Sequence, residues 1–451
     1  PYTNATSQHA TQVEPDTFSF GSTIVSAAQT GRFNDGGASN ICYSTSTDNG
    51  STWTNGCLPG ITKHQDAANP YDRVSDPVVA YDAQDNVWMI STLALLETGG
   101  VHGAGVLTSR STDGGLTWGA PTLVNGSDSG SPDKNWIVCD NTATSPFYGN
   151  CYTQWDDNGD GNRLYMSTST DSGLTWGARR PTADNATGIG GQPVVQPNGT
   201  VIVPVDNYNE TALLAFSSTN GGASWSATTT VTTIKSHGVA GGLRTSPLPS
   251  AEIDAAGTAY VVWQDCRFRH GCKSNDLVVT TSTNGTTWTP VTRIPIDQKG
   301  SKVDHFIPGL AVDNSTSGAS AKLGLAYYYY PNTKCTAATC QLNVGYISSV
   351  TGGATWSAPT QLAGPMTLSW LPNTTQGRMV GDYISTSYSG GTAHPVFTVA
   401  SAPSGTTFSQ FMYTPSTGLS SGAAVVTAGT DQPVPGVVSD HAAAQSPIVR
   451  R

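Results

Sequence analysis

The chain has 451 residues, of which 12% are charged, and 21 basic against 31 acidic side chains give a formal net charge of −10. With no basic run, that balance argues against nucleic acid as a partner. No apolar stretch reaches the about 18 residues of a membrane span, and 50 glycines, 27 prolines and no long helical periodicity predict an all-β chain able to bury a sizeable core.

In chain order the first strong signal is Ser46-Thr47-Asp48-Asn49-Gly50-Ser51-Thr52-Trp53. It returns at Ser111–Trp118 and Ser169–Trp176, then with Asn220 and Asn284 in place of the acid at Ser218–Trp225 and Ser282–Trp288, and without the acid at Val350–Trp356. A phrase at this period marks one supersecondary unit used repeatedly. Its physical sense is a β-hairpin clamp: Asp or Asn bonds its own backbone, Gly supplies positive φ, and Trp packs back against a neighbouring sheet.

Between the phrases, polar residues followed by apolar runs open strands near residues 14, 76, 133, 192, 252, 305 and 378. Seven openings for six phrases point to a seventh unit, whose hairpin Ser404–Phe408 keeps the turn and puts Phe for Trp. We therefore expect one catalytic domain over 1–451: a seven-bladed β-propeller with four antiparallel strands per blade, and a tail at 418–451 packing on it. Six blades plus a flanking module are the alternative.

The cysteines fall as four neighbouring couples, Cys42 with Cys57, Cys139 with Cys151, Cys266 with Cys272 and Cys335 with Cys340. Only nearest-neighbour pairing keeps each bridge inside one repeat, so local disulfides are expected; unpaired thiols are the alternative, and zinc is disfavoured because paired C-x-x-C spacing is missing. Asn-x-Ser/Thr triplets at Asn4, Asn49, Asn125, Asn185, Asn198, Asn209, Asn284, Asn314 and Asn373 agree with a secreted, extracellular glycoprotein. A chain starting at Pro1 without a signal-like segment then implies a processed N-terminus.

Connectivity sorts the scarce charges by face. If the innermost strand starts above, the repeated hairpins lie below, and the upper rim gathers the residues ahead of each inner strand and the loops between second and third strands. Arg32, Arg73, Lys134, Arg163, Glu252, Arg267, His305, Arg378 and Tyr383 map to that rim, with His102 between glycines in Gly99-Gly100-Val101-His102-Gly103 and His64 as a reserve. Charged groups gathered at one mouth suit an anionic ligand, and guanidinium is the natural clamp for a carboxylate. The plainer alternative is that these arginines tie adjacent sheets together through Asp partners and that each histidine packs or faces solvent. Trp155-Asp156-Asp157-Asn158-Gly159-Asp160-Gly161 has oxygen ligands at alternate positions, Asp156, Asn158 and Asp160, as in half a Ca²⁺ loop. Ser167 stands at the twelfth position, so a tight polar turn explains it equally. A Ca²⁺ in the axial channel leaves little trace in a sequence, and no organic cofactor is expected.

The phrase S-x-D-x-G-x-T-W is spelled as an Asp-box, or BNR repeat, and the chain resembles the sialidase-like Asp-box propellers over nearly its whole length. Carried over to this chain, the resemblance makes Glu252, Arg267 and Arg378 the counterparts of a sialidase's Glu and two of its arginines. No Arg-Ile-Pro stands near the N-terminus, and no single Tyr among Tyr383, Tyr388 and Tyr413 is singled out as nucleophile. In overall plan the chain is similar to the seven-bladed lyases that release rhamnose capping glucuronate on gum arabic and other arabinogalactans. That similarity implies an exo-acting, monomeric lyase with His102 as catalytic base or acid and Arg163 on the uronate carboxylate. A sialidase-like hydrolase and a propeller lectin are the alternatives, and the rim residues differ too much between repeats to favour the lectin.

Overall fold

The computed structural model describes residues 7–422, 426–427 and 431–440; Asn4 and the tail from 441 onward lie outside them. Short strands separated by Gly, Asn and Asp turns can satisfy their backbones only against neighbouring strands. The first repeat runs Gln8–Phe20, Thr23–Arg32, Ala38–Ser46 and Thr54–Cys57, each antiparallel to the one before. Five more follow the plan, opening on Arg73–Asp82, Pro132–Cys139, Gly188–Ile189 with Val194–Val195, Ser250–Ile253 and Asp304–Val312. A last group, Ser385–Ser389, Thr392–Ser404 and Thr407–Tyr413, has three antiparallel strands. Its outer strand meets the start of the chain through a parallel bridge between Gln410 and Thr11.

Segments from all these inner positions border one axial cavity of about 400 Å³, so the sheets stand around an axis as propeller blades do. Apolar side chains accordingly fill the seams between sheets. Val78, Met89 and Val106 of the second repeat pack with Ile137 and Trp155 of the third; Val194, Ile202 and Leu213 of the fourth pack with Trp263 and Val278 of the fifth. The four disulfides join Cys42–Cys57, Cys139–Cys151, Cys266–Cys272 and Cys335–Cys340, as nearest-neighbour pairing requires.

The Asp-box hairpins act as the clamp their chemistry suggests. In the second copy Asp113 Oδ1 accepts from the Thr117 amide at 2.9 Å and from Ser111 Oγ at 2.7 Å, while Trp118 Nε1 donates to the Gly115 carbonyl at 3.1 Å. The turn then seats on the preceding repeat: Thr45 Oγ1 donates to the Gly115 carbonyl at 2.6 Å, and Tyr43 Oη donates to the Leu116 carbonyl at 3.0 Å. Gly173 faces Met89, Gly222 faces Thr168 and Gly285 faces Ile202 in the same way, and Gly50 of the first box faces His394 of the last group.

The seventh hairpin departs from this pattern. Gly405 has open space around it, so Ser404–Phe408 forms a turn but no seat. The seam it leaves is closed by the chain beyond Tyr413. Leu419 exchanges backbone hydrogen bonds with Ala393 at 2.8 and 2.9 Å, Gly422 N donates to Ser348 Oγ at 2.9 Å, and Val426–Thr427 pairs with Thr355–Trp356.

Candidate functional site at the upper axial mouth

Four inner strands carry a side-chain-bearing residue in the left-handed region near their upper ends: Glu14 at φ 53°, Asp76 at φ 45°, Lys134 at φ 47° and Ile307 at φ 50°. Each coincides with a β-bulge against the second strand. A bulge with such a φ costs about 1–2 kcal/mol per residue and re-aims a side chain; here it turns Glu14, Asp76 and Lys134 to a common point. Lys134 Nζ lies 3.8 Å from Glu14 Oε1 and 3.6 Å from Asp76 Oδ1, and donates to Asp382 Oδ2. Arg244 donates to that same Asp382 oxygen. Glu14 accepts on both oxygens, from Gln29 Nε2 and, at 3.2 Å, from the Asp382 amide. Arg32 is close enough to feel Glu14, Arg244, Asp382 and Asp76. Tyr383 donates to the Pro77 carbonyl at 3.0 Å and packs edge-on to Trp136.

Burial sets the protonation of this cluster. It opposes the Lys134 charge, yet Asp382, Asp76 and Glu14 together hold that ammonium above the ordinary lysine range. Burial lowers Arg32 to about 10, against the pull of Glu14. For Asp382 burial is overcome by Arg244 and Lys134, which bring it down to about 2. Asp76 goes the other way: burial drives it well above the usual carboxylate range, Lys134 offsets only part of that, and Glu14, Asp133 and Asp382 add to it. Three cations, Lys134, Arg244 and Arg32, thus gather beside the Glu14, Asp76 and Asp382 carboxyl groups. Asp76 Oδ1, Asp382 Oδ1 and Arg32 Nε are buried without a hydrogen-bond partner, so the mouth keeps unused polar capacity.

Among the sequence-predicted residues, Lys134, Arg32 and Tyr383 thus come together. Arg73 and His64 share another rim position: Arg73 pairs with Asp35 at 2.5 Å and Glu97 at 2.6 Å and stacks over Phe33 at 4.0 Å, while the His64 ring stacks on the same Phe33 at 5.6 Å. Burial lowers the His64 pKa. His102 Nδ1 lies 2.7 Å from the Gly100 carbonyl oxygen; a carbonyl only accepts, so Nδ1 carries a proton and Nε2 is the ring nitrogen left to face a ligand. Arg163 pairs with Asp160 at 3.3 Å, and no hydrogen bond or ion pair among the described residues joins it to His102.

Other candidates are spent on structure. Arg267 is held by Asp265 at 2.6 Å and by Thr232 at 3.2 Å. Arg378 donates to the Leu368 carbonyl at 2.6 Å. His305 is buried against Tyr327 and Tyr329, and burial lowers its pKa to about 4. Glu252 does not stand ahead of its inner strand as expected but within it, one residue from its end, and it lines the axial cavity. Asp156, Asn158 and Asp160 form a tight turn: Asn162 Nδ2 donates to Asp156 at 2.9 Å and to Asn158 at 2.7 Å, and Asp160 accepts from Tyr165 at 2.5 Å.

Two sets of ligand-type side chains converge elsewhere. Asp276, Asp297 and His305 lie together, but Arg269 and Arg293 already pair with both carboxylates. His237, Cys272 and Asp440 also meet, and Cys272 is oxidised. The residue that sequence reasoning missed is Arg244. Its signal is Gly241-Gly242 just ahead of it, in a linker without a strand, where paired glycines let the chain bend toward the axis.

Comparison with known proteins agrees with this architecture. No curated protein matches the chain. A protein of unknown function from Dyadobacter fermentans is 15% identical over 77% of this chain and 96% of its own, with a TM-score of 0.50. An ulvan lyase of polysaccharide lyase family PL25 is 10% identical over 92% of this chain and 96% of its own at a TM-score of 0.53, and the same fold is seen in its complex with -[GlcA(1-4)Rha3S]-. The Hadza microbial sialidase Hz136 is 14% identical over 81% of this chain and 72% of its own, at a TM-score of 0.47. At such identities the likeness is one of fold. The BNR repeat-like domain matches residues 22–230 and 147–326, and with its Asp-box hairpins seated sheet upon sheet the chain belongs to that family.

Proposed function

We propose that the chain is a secreted carbohydrate-active enzyme, a seven-bladed, exo-acting lyase that removes a terminal sugar, L-rhamnose, from a glucuronate residue of a plant polysaccharide. The observation that carries this reading is the meeting of Lys134, Arg244 and Arg32 at the upper axial mouth, where Asp76 Oδ1, Asp382 Oδ1 and Arg32 Nε are left without hydrogen-bond partners. Cations gathered beside unsatisfied polar atoms suit a uronate carboxylate, and neutralising the carboxylate acidifies the C5 proton. His102 Nε2 takes that proton, the C5 electron pair forms the C4–C5 double bond, and the C4–O bond breaks. Asp76, whose burial favours the protonated form, supplies the proton to the leaving oxygen. An ulvan lyase of the same fold binds -[GlcA(1-4)Rha3S]-, which supports a uronate-bearing substrate, and four local disulfides fit an oxidising compartment.

One observation favours a second reading. Asp76, pushed up by burial, beside Asp382, held down by Arg244 and Lys134, resembles the acid and carboxylate pair that hydrolysis of a glycoside needs. The products separate the two. Incubation with gum arabic should give free rhamnose and an ultraviolet-absorbing unsaturated uronate, and Arg244→Met should lower the rate about a hundredfold. A saturated uronate product would make the enzyme a hydrolase, and no product from any uronate-bearing polysaccharide would end the reading.

A further inference from the structure

Below the charged mouth the axis has a second, different end. The inner-strand residues after the bulges line the cavity of about 400 Å³, between Asp16 and Phe20 in the first repeat, Ser250 and Ala255 in the fifth, and Ile384 and Tyr388 in the last. Those segments lead to the turns between first and second strands, so the cavity faces the Asp-box side. Val79, Ile137, Val194, Leu310 and Ile384 give it apolar walls, and Phe20, 40% exposed, stacks on Tyr81 at 4.4 Å.

Thr17, Ser19, Gln192, Ser250, Thr386 and Ser387 add polar lining, and Asp16 and Glu252 put carboxyl groups beside the apolar walls. Asp16 Oδ2 accepts from the Val79 amide at 2.7 Å, while Glu252 has no hydrogen-bond partner among the described residues and is partly exposed into the cavity it lines. The other titratable groups facing this space are occupied: Asp254 accepts from the Thr258 and Gly318 amides, Tyr81 donates to Asn86, and Tyr388 meets Ser421. No lysine, arginine or histidine stands among the described lining residues. Burial pushes Asp16 up to about 7, and burial together with the Asp16 charge pushes Glu252 up to about 8.

We propose that the lower axial cavity binds a small organic cation with an apolar body, its ammonium group held by Glu252 and Asp16. The walls decide the class of ligand. A bare Ca²⁺ takes about six to eight oxygens at roughly 2.3–2.6 Å, and a cavity of about 400 Å³ with Val79, Ile137, Val194, Leu310 and Ile384 among its walls is too wide to close that shell on one ion. An alkylammonium fills apolar volume, gives both acids the counter-charge they lack, and passes the Phe20–Tyr81 pair with favourable cation–aromatic contact. The site is separate from the uronate mouth and stands or falls independently of the activity proposed there.

The test uses the whole chain, calorimetry and n-hexylammonium chloride, with n-hexanol and CaCl₂ as comparison probes. Hexylammonium is expected to bind, and to bind more than about tenfold more tightly near pH 9 than near pH 5, because both acids must ionise to pair with it. Glu252→Gln, nearly isosteric, weakens binding near pH 9 and reduces the pH dependence to what Asp16 alone supplies, while keeping a cooperative melting transition. Hexanol and Ca²⁺ give no heat that Glu252→Gln abolishes. The proposal is overturned by any of three results: no hexylammonium binding near pH 9, hexanol bound as tightly, or affinity independent of pH in the unsubstituted chain. The last needs no variant, so a folding defect in Glu252→Gln leaves the test intact.

Discussion

Asp382 is the residue on which the upper mouth turns, because one carboxylate oxygen takes hydrogen bonds from both Lys134 and Arg244. Removing either partner leaves a buried charge partly unpaired, so Lys134→Met should cost about 3–5 kcal/mol in urea unfolding, whereas Arg163→Ala, at a half-exposed pair, should cost under about 1 kcal/mol. The pH dependence has two limbs of opposite sign. Asp382, held down to about 2, stabilises the fold above the ordinary carboxylate range, and that contribution is lost as pH falls toward 2. Glu252 is raised to about 8, so the fold is favoured while it keeps its proton and weakens as pH climbs from the unfolded value toward 8. Melting scans against pH should therefore show Glu252→Gln overtaking the unsubstituted chain above about pH 8 and no gain near pH 4. Lys134 and Arg32 were legible because charge is scarce in this chain and inner-strand openings repeat. Glu252 was misplaced by one strand length: Glu252-Ile253-Asp254 has the polar–apolar look of an opening, but Asp254 already caps the following turn through the Ala256 and Thr258 amides.

At the scale of the element, the Asp-box was the most readable part of the molecule, since its Asp, Gly and Trp each do a local job that spacing alone reveals. What spacing does not show is the seat. Gly114 and Gly115 have nearly equal φ of 81° and 80°, yet a Cβ on Gly114 meets open space while one on Gly115 stands 2.6 Å from Val25 of the preceding repeat. Gly114→Ala should thus carry only the left-handed cost of about 1–2 kcal/mol. Gly115→Ala should lose about 1–3 kcal/mol more through overpacking, a difference measurable by denaturant midpoints. The seventh hairpin was legible as a turn, but its failure to seat was not, because Phe408 for Trp says nothing about the neighbouring sheet.

For the whole molecule, the chain after Tyr413 does what a seventh Asp-box would otherwise do. Residues 419 and 422 bond to the last group and to the sixth repeat, and residues 431–440 continue onto the fifth, where Asp431 meets Arg293 at 3.3 Å and the Val434 amide donates to the Arg267 carbonyl at 2.7 Å. Ending the chain at Tyr413 should lower the melting temperature and make the last two sheets the first to gain amide hydrogen exchange, read peptide by peptide by mass spectrometry. The disulfides are local by contrast. Closing a loop of about 15 residues is worth about 3 kcal/mol by chain entropy, and Cys42–Cys57 spans 15 positions, so its removal should destabilise the first repeat without opening the ring.

The seats of Gly115, Gly173, Gly222 and Gly285 all point backward along the chain: each of these hairpins rests on the repeat made before it. During synthesis a new hairpin therefore finds its resting place already formed, with one exception. The first hairpin, at Gly50, rests on His394, which emerges only after more than three hundred further residues. The protein leaves the ribosome as an arc latched notch by notch, and the arc becomes a ring at a single seam whose two halves are almost the full length of the gene apart.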